Sequence, residues 1–329
     1  MKIIDLFSGI GGFSLGFQRA GYHFTEHYFS EIDKHAIANY KYNFPHAKYI
    51  GDITSLHGGD FRDIDIITFG SPCQNLSTAG KREGLKGSKS SLIQHAIALI
   101  ADIRPSVFVW ENVKGAFSSN AGADFWAILQ AFANIGGYRL EWQLLNTSWV
   151  LPQNRERIYL IGHLAGRSTP GVFPIGKNDF PSISKAQSQS QASVSTTLKA
   201  NGRMSTDDTY IIPKNARTLT GGGHSGGLHS DMTVIRQLKR GKNKGADLKI
   251  CPTISSNAFQ ENNLLNGVRR LTEIECERLQ GFPDNWTQYG DYNGTIKPIS
   301  KTQRYKLIGN SVTVDIVELI AKRLKFIKQ

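Results

Sequence analysis

The sequence predicts an α/β fold: a doubly wound, largely parallel sheet followed by a second, smaller, irregular β-rich region. Two observations lead there. Through the first half, apolar runs alternate with stretches whose apolar residues recur at helical spacing. From Gly166 to about Asn266 the composition turns to Gly, Ser, Thr, Asn and Gln with scattered Lys and Arg, and helical periodicity is lost. With 329 residues, 40% of them hydrophobic, the chain can bury one large core and a smaller one.

Strands are expected at 2–7, 24–31, 48–50, 64–69, 106–110, 138–146 and 157–162. Helices are expected between them at 12–20, 33–43, 91–102 and 123–135. The stretch Ser91 to Ile100 shows the crossover type, with a serine at its start and apolar residues at helical spacing. Pro105 then blocks helix and opens the next strand. Inside the polar region a weak repeat recurs at 195–198, 216–219 and 251–254, read as short strands joined by polar loops. Order returns at Arg269. Leu271 to Gln280 reads as a helix with Thr272 and Glu275 in capping-box relation, ended by Gly281 and Pro283. Ser311 to Lys325 reads as a second amphipathic helix.

The formal net charge is +12, with a pI of about 9.5, which suits a polyanionic partner. No apolar run reaches eighteen residues, so no membrane span is expected. Met1 leads directly into the first strand, which leaves no room for a signal peptide. Three cysteines (Cys73, Cys251, Cys276) have no paired spacing. Neither a disulfide framework nor a metal site is expected, and a reducing cytoplasm fits.

Residues 70–77 read Gly-Ser-Pro-Cys-Gln-Asn-Leu-Ser after the apolar run 64–69. A thiol at the carboxyl end of a buried strand, stiffened by the preceding proline, reads as a nucleophile. Asp5-Leu6-Phe7-Ser8-Gly9-Ile10-Gly11-Gly12-Phe13 is a strand, a glycine turn and a helix start, but Ser14 stands where a dinucleotide fingerprint needs glycine. Glu31, twenty residues beyond Gly11, suits a ribose diol, and Asp52 suits an adenine amino group. Together they describe an adenosine site without a phosphate cradle; a plain tight turn would explain the glycines alone.

In chain order the blocks are Asp5–Phe13, Glu31, Gly51-Asp52-Ile53, Ser71-Pro72-Cys73-Gln74, Glu111-Asn112-Val113, Gln153-Asn154-Arg155-Glu156-Arg157, Arg269–Pro283 and Gly309-Asn310-Ser311-Val312. In that order they resemble the DNA (cytosine-5)-methyltransferases of bacterial restriction-modification systems and phages, over residues 1–163 and 269–316. The resemblance implies a Rossmann-like methyltransferase fold that takes S-adenosylmethionine as methyl donor. It places Phe7, Ser8, Gly9, Gly11, Gly12, Glu31, Asp52, Ile53, Pro72, Asn310 and Ser311 around that cofactor. The catalytic domain would comprise 1–178 and 304–329, and the target-recognition domain 179–303.

The implied reaction methylates C5 of cytosine in a specific duplex sequence. Cys73 would add to C6 and make C5 nucleophilic. Glu111 would share a proton with N3 and accept from the N4 amino group. Arg157 would hold O2, with Arg155 close by. The base would be flipped out of the stack. Residues 77–89 would form a lid, with Gln74, Ser77, Lys81, Arg82 and Lys89 meeting DNA. Arg203, Arg217, Arg236, Lys239 and Arg240 would contact bases or phosphates from the second domain. Double-stranded DNA is the expected partner, a cognate restriction endonuclease a functional one, and the chain is expected to act as a monomer. Two alternatives stand beside this reading: methylation of cytosine in RNA, and a non-catalytic DNA-binding protein that keeps the fold.

Overall fold

Runs such as Ile66-Ile67-Thr68-Phe69 offer apolar side chains to both faces, so they form strands covered on both sides. The computed structural model describes residues 1–72, 91–117, 119–179, 235–237, 246–248, 251–252, 263–265 and 269–327. Its main sheet contains β1 (Lys2–Leu6), β2 (Glu26–Ser30), β3 (Lys48–Tyr49), β4 (Ile66–Gly70), β5 (Val107–Val113) and β6 (Tyr138–Asn146). After the two-residue β7 (Gln153–Asn154), β8 (Glu156–Leu164) completes it. The order is β3-β2-β1-β4-β5-β8-β6. The first five strands are parallel; β8 runs antiparallel to both β5 and β6. Only residues 147–155 join β6 to β8, too few for a parallel crossover.

Helices α1 (Gly12–Arg19), α2 (Lys34–Asn43), α3 (Ser91–Ile103) and α4 (Ala123–Asn134) match the expected positions within one or two residues. Strand parity sorts the core. Ile3, Ile66, Val107 and Val109 face Phe13 and Phe17 of α1 on one side. Ile4, Ile67, Phe108 and Trp110 face Leu99 of α3 and Ile128 and Phe132 of α4 on the other. The strand order reverses between β1 and β4, and α/β sheets bind ligands at such a point, outside the carboxyl ends of the strands.

Beyond residue 180, β10 (Ile235–Gln237), β11 (Ala246–Leu248), β13 (Asn263–Leu265) and β14 (Arg269–Arg270) form a small antiparallel sheet. Between them, β12 (Cys251–Pro252) pairs in parallel with β7. The rest of the repeat lies outside the described residues.

The C-terminal part holds α5 (Glu273–Leu279), the hairpin β15 (Tyr289–Tyr292) and β16 (Thr295–Pro298), α6 (Lys301–Asn310) and α7 (Val314–Arg323). The short β9 (Ser168–Thr169) and β17 (Lys325–Phe326) pair with each other. The capping box at Thr272 and Glu275 is present. Helix α6 was not expected from the sequence, and the final helix begins at Val314 rather than Ser311. Leu271, Cys276, Leu279, Phe282 and Ile299 share one cluster with Ile10, Phe29, Ala36 and Tyr40. The expected division after residue 303 therefore cuts through a single packed core. No helix among the described residues is long and apolar enough to cross a membrane.

Candidate active site

At the end of β1 the chain turns through three left-handed residues, Phe7 (φ 50°), Gly9 (φ 54°) and Gly11 (φ 81°). Gly11 is needed twice over, since a Cβ there would also stand 2.3 Å from the Phe44 ring. Phe7 is the unusual member, a bulky residue in a region that favours glycine. The loop is tied to β2: Ser8 N donates to Ser30 O (3.1 Å) and Gly9 N to Glu31 Oε2 (2.9 Å). Glu31 Oε1 accepts from Ile32 N (2.7 Å) and Asp33 N (3.0 Å). Three main-chain N–H groups thus fix this carboxylate at the mouth of the sheet.

Two observations fit a ligand over this loop. Ser8 Oγ is buried with no partner among the described residues. A Cβ built on Gly9 would meet nothing within 4 Å, so the backbone lies open to close approach. Asp52 is exposed and caps residues 53–55, its Oδ1 accepting from Thr54 N at 3.1 Å. Ile53, expected at the adenine, sends its side chain into the core and is 3% exposed, which leaves its main chain as the part that can face a ligand. Ile32, which the sequence reading passed over, is 73% exposed directly after Glu31.

The C-terminal block closes on the same loop. A Cβ on Gly12 would fall 2.7 Å from Val312 and 2.8 Å from Ser311 Oγ, so only glycine lets α1 come this close. Asn310, the last residue of α6, is exposed, and Ser311 is buried. Arg155 holds this block: Nη2 donates to Ser311 O (2.6 Å) and Nη1 to Gly309 O (3.3 Å). The sequence reading set Arg155 beside the target base; the structure engages its guanidinium with main-chain carbonyls, 3% exposed.

The ends of β4 and β5 lie next to it. Trp110 Nε1 and Asn112 Nδ2 both donate to Ser71 Oγ, at 3.0 and 3.1 Å. Asn112 Oδ1 in turn accepts from Val113 N at 2.8 Å. These bonds lock the turn through Ser71 and Pro72, one residue before Cys73. Cys73, Gln74, Ser77, Lys81, Arg82 and Lys89 lie outside the described residues. So do Arg203, Arg217, Lys239 and Arg240, and Arg236 is described only as part of β10.

Glu111 stands opposite Gly70 across the β4–β5 pairing. Its Oε1 is 2.9 Å from Arg157 Nε on β8, with both side chains mostly buried. That contact lacks hydrogen-bond alignment, and Oε1 makes no hydrogen bond among the described residues. Arg157 Nη1 donates to Glu156 O (2.8 Å). Tyr159, buried behind the pair, has its hydroxyl pKa raised by burial and by the Glu111 carboxylate. The arrangement presents a carboxylate and a fixed cation at one point, beside the turn that leads to the thiol.

Deeper under the loop, Asp5 is fully buried, and that burial lifts its carboxyl to about 7. His27, also buried, is pushed down to about 4.

The profile of the C-5 cytosine-specific DNA methylase family matches residues 1–326. Type II methyltransferase M1.ScrFI of Lactococcus lactis subsp. cremoris is 33% identical, covering 98% of this chain and 77% of its own length. Type II methyltransferase M.Bsp6I of Bacillus sp. (strain RFL6) is 29% identical, covering 98% of each chain. The fold is shared with the Entamoeba histolytica methyltransferase EhMeth at a TM-score of 0.63 and 14% identity, covering 97% of this chain and 96% of the other. The fixed carboxylate at the switch point, the open glycine turn and the paired Glu111 and Arg157 are therefore read in a chain that belongs to the C-5 cytosine-specific DNA methylases, enzymes that transfer a methyl group from S-adenosylmethionine to C5 of cytosine in duplex DNA.

Proposed function

We propose that Cys73, Glu111 and Arg157 carry this reaction, and that the β1–α1 loop, Glu31, Asp52 and Asn310 hold the cofactor. The observation that supports this best is the Glu111–Arg157 pair, held 2.9 Å apart beside a turn that Trp110 and Asn112 fix one residue before the thiol. S-adenosylmethionine, when bound, supplies an electrophilic methyl group on a sulfonium.

The chain's own residues do the rest. Cys73 adds as a thiolate to C6 of a flipped cytosine and pushes electron density towards N3 and C5. Glu111 meets N3 and the N4 amino group, using the oxygen that makes no hydrogen bond among the described residues. Arg157 binds O2 with a guanidinium that stays charged and planar. Once C5 is methylated it loses its proton, and Cys73 leaves C6 to restore the ring. Glu31 accepts from the ribose hydroxyls and Asp52 from the adenine amino group. The exposed Ile32 gives the purine face an apolar surface to cover. Arg155 is a positioning residue that fixes Gly309–Ser311 against the loop.

Residues between 179 and 303 supply the DNA-reading surface, with those from Leu271 onward anchoring it to the catalytic core. Arg203, Arg217, Arg236, Lys239 and Arg240, together with the lid cations Lys81, Arg82 and Lys89, meet the duplex. We infer a restriction-modification role from the relatives' names, with a cognate endonuclease sharing the target sequence. The protein acts as a monomer in the bacterial cytoplasm, on nucleoid DNA.

Incubation with duplex DNA carrying 5-fluorocytosine and S-adenosylmethionine tests the mechanism. The fluorine blocks loss from C5, so a covalent adduct should accumulate on DNA and not on RNA. Cys73→Ser should form none and leave cytosines unmodified. Methylation at the wild-type rate in that variant would remove Cys73 from the mechanism.

A further inference from the structure

Beneath the cofactor loop lies a set of buried polar groups that the methylation chemistry does not use. Asp5 Oδ1 accepts from Thr68 Oγ1 of β4 at 2.9 Å. Its Oδ2 accepts from Ser14 Oγ of α1 and Tyr40 OH of α2, each at 3.1 Å. Those two hydroxyls are 2.6 Å apart, and each also reaches His27 Nε2 of β2, at 2.9 and 2.7 Å. His27 in turn lines a surface cavity of about 520 Å³ together with Phe24, Asn43 and Phe44. Glu31, just past β2, is the charged group that adds to the pressure on Asp5.

The cluster has two complete hydrogen-bonding arrangements. When Asp5 is ionised, Tyr40 OH donates to it, Ser14 Oγ donates across the 2.6 Å contact to Tyr40, and His27 Nε2 donates to Ser14 Oγ. When Asp5 is protonated, it donates to a hydroxyl, the hydroxyl hydrogens pass on, and neutral His27 accepts at Nε2. Both states satisfy every buried group, so the carboxyl can change charge without breaking the fold. Burial keeps Tyr40 protonated and His27 neutral near pH 7, while Asp5 sits at about 7.

Asp5 lies two residues before Phe7, at the root of the loop that accepts the methyl donor. The donor and the spent product differ by one positive charge, on sulfur. We propose that Asp5 is a buried charge sensor that favours the sulfonium over the thioether: it ionises when S-adenosylmethionine binds and regains its proton when S-adenosylhomocysteine is left. A proton then leaves as the donor enters and returns once the sulfonium charge is spent, through Ser14, Tyr40 and His27. This rests on the cofactor occupying the β1–α1 loop.

The test is calorimetric titration of the full chain with each compound from about pH 5.5 to 7.5, in buffers of different ionisation enthalpy. S-adenosylmethionine should release more protons than S-adenosylhomocysteine near pH 7. Its affinity advantage should grow about three- to tenfold across that range, as expected when a buried carboxyl ionises through it in response to a nearby unit charge. In Asp5→Asn both differences should vanish. Thr68→Val, which removes one donor and keeps the shape, should move the midpoint to higher pH. Equal proton release by the two compounds and a constant affinity ratio in the wild type would overturn the proposal. Failure of either compound to bind would instead overturn the placement of the cofactor, and the proposal with it.

Discussion

Glu111 and Arg157 sit on neighbouring strands and are each other's main charged partner. On the proposed mechanism, a flipped cytosine shares that pair rather than entering an empty slot. Glu111→Gln keeps the shape but cannot give up a proton as a carboxyl does, and should lower the single-turnover methylation rate by about 10²–10⁴-fold. Binding of flipped-base DNA, measured separately, should fall far less. Arg155 makes a useful contrast. Both arginines were legible as a motif, and strand alternation would put residues two apart on one face. Arg155, however, occupies the break between β7 and β8, and its guanidinium turns to the carbonyls of Gly309 and Ser311. Arg155→Ala should therefore weaken cofactor binding more than it slows the chemical step, read as KM against kcat. Ile53, next to Asp52 in sequence, uses its side chain to anchor that turn to the core.

Among the elements, most of the sheet could be read in advance because each strand is a short apolar run bounded by turn residues. Helix α6 could not. Its sequence, Lys-Thr-Gln-Arg-Tyr-Lys-Leu-Ile-Gly-Asn, has no clean apolar stripe, because one of its buried positions is Arg304. Arg304 Nη2 meets Glu277 Oε1 of α5 at 2.9 Å, and its Nε donates to Thr287 Oγ1 at 2.9 Å. Glu277, fully buried, also accepts from Asn285 N (2.7 Å) and Thr287 N (2.9 Å). A charge pair satisfied on every side can replace hydrophobic burial, and no periodicity rule detects it. Removing one partner leaves the other charged in the core. Arg304→Met should cost about 3–5 kcal/mol in urea unfolding, against about 1 kcal/mol for Thr272→Ala at the cap of α5. The β15–β16 hairpin was legible in principle, since Asn293 and Gly294 both adopt left-handed conformations in its turn.

For the molecule as a whole, charge and pH dominate. Contacts to some 6–10 phosphates would make DNA affinity fall about 10³–10⁵-fold between roughly 50 and 200 mM salt. Cofactor affinity should move little over the same range, and filter binding with both ligands checks this. The Asp5 cluster shapes the pH dependence of stability. His27 titrates at about 4 when folded against 6.5 ordinarily, so in that window the unfolded chain binds more protons and the fold weakens as pH falls. Asp5, at about 7 against 3.8, has the opposite effect: the fold weakens as pH rises between those values. The two slopes oppose each other between about pH 4 and 6.5. His27→Gln leaves Asp5 uncompensated, so its stability relative to wild type should decline as pH rises through that window, by about 3 kcal/mol in total. Chemical denaturation at stepped pH measures it. None of this was legible in the sequence, where Asp5 looked like part of a glycine turn.

The two-residue ladder between Cys251–Pro252 and Gln153–Asn154 stitches the stretch beyond residue 180 to the strand that leads into Arg157. A chimera that imports another enzyme's specificity would have to splice around this seam. Exchanging residues 180–250 leaves the seam untouched, whereas an exchange that runs through 252 would unpick the thread that ties the proposed DNA-reading region to the strand before Arg157.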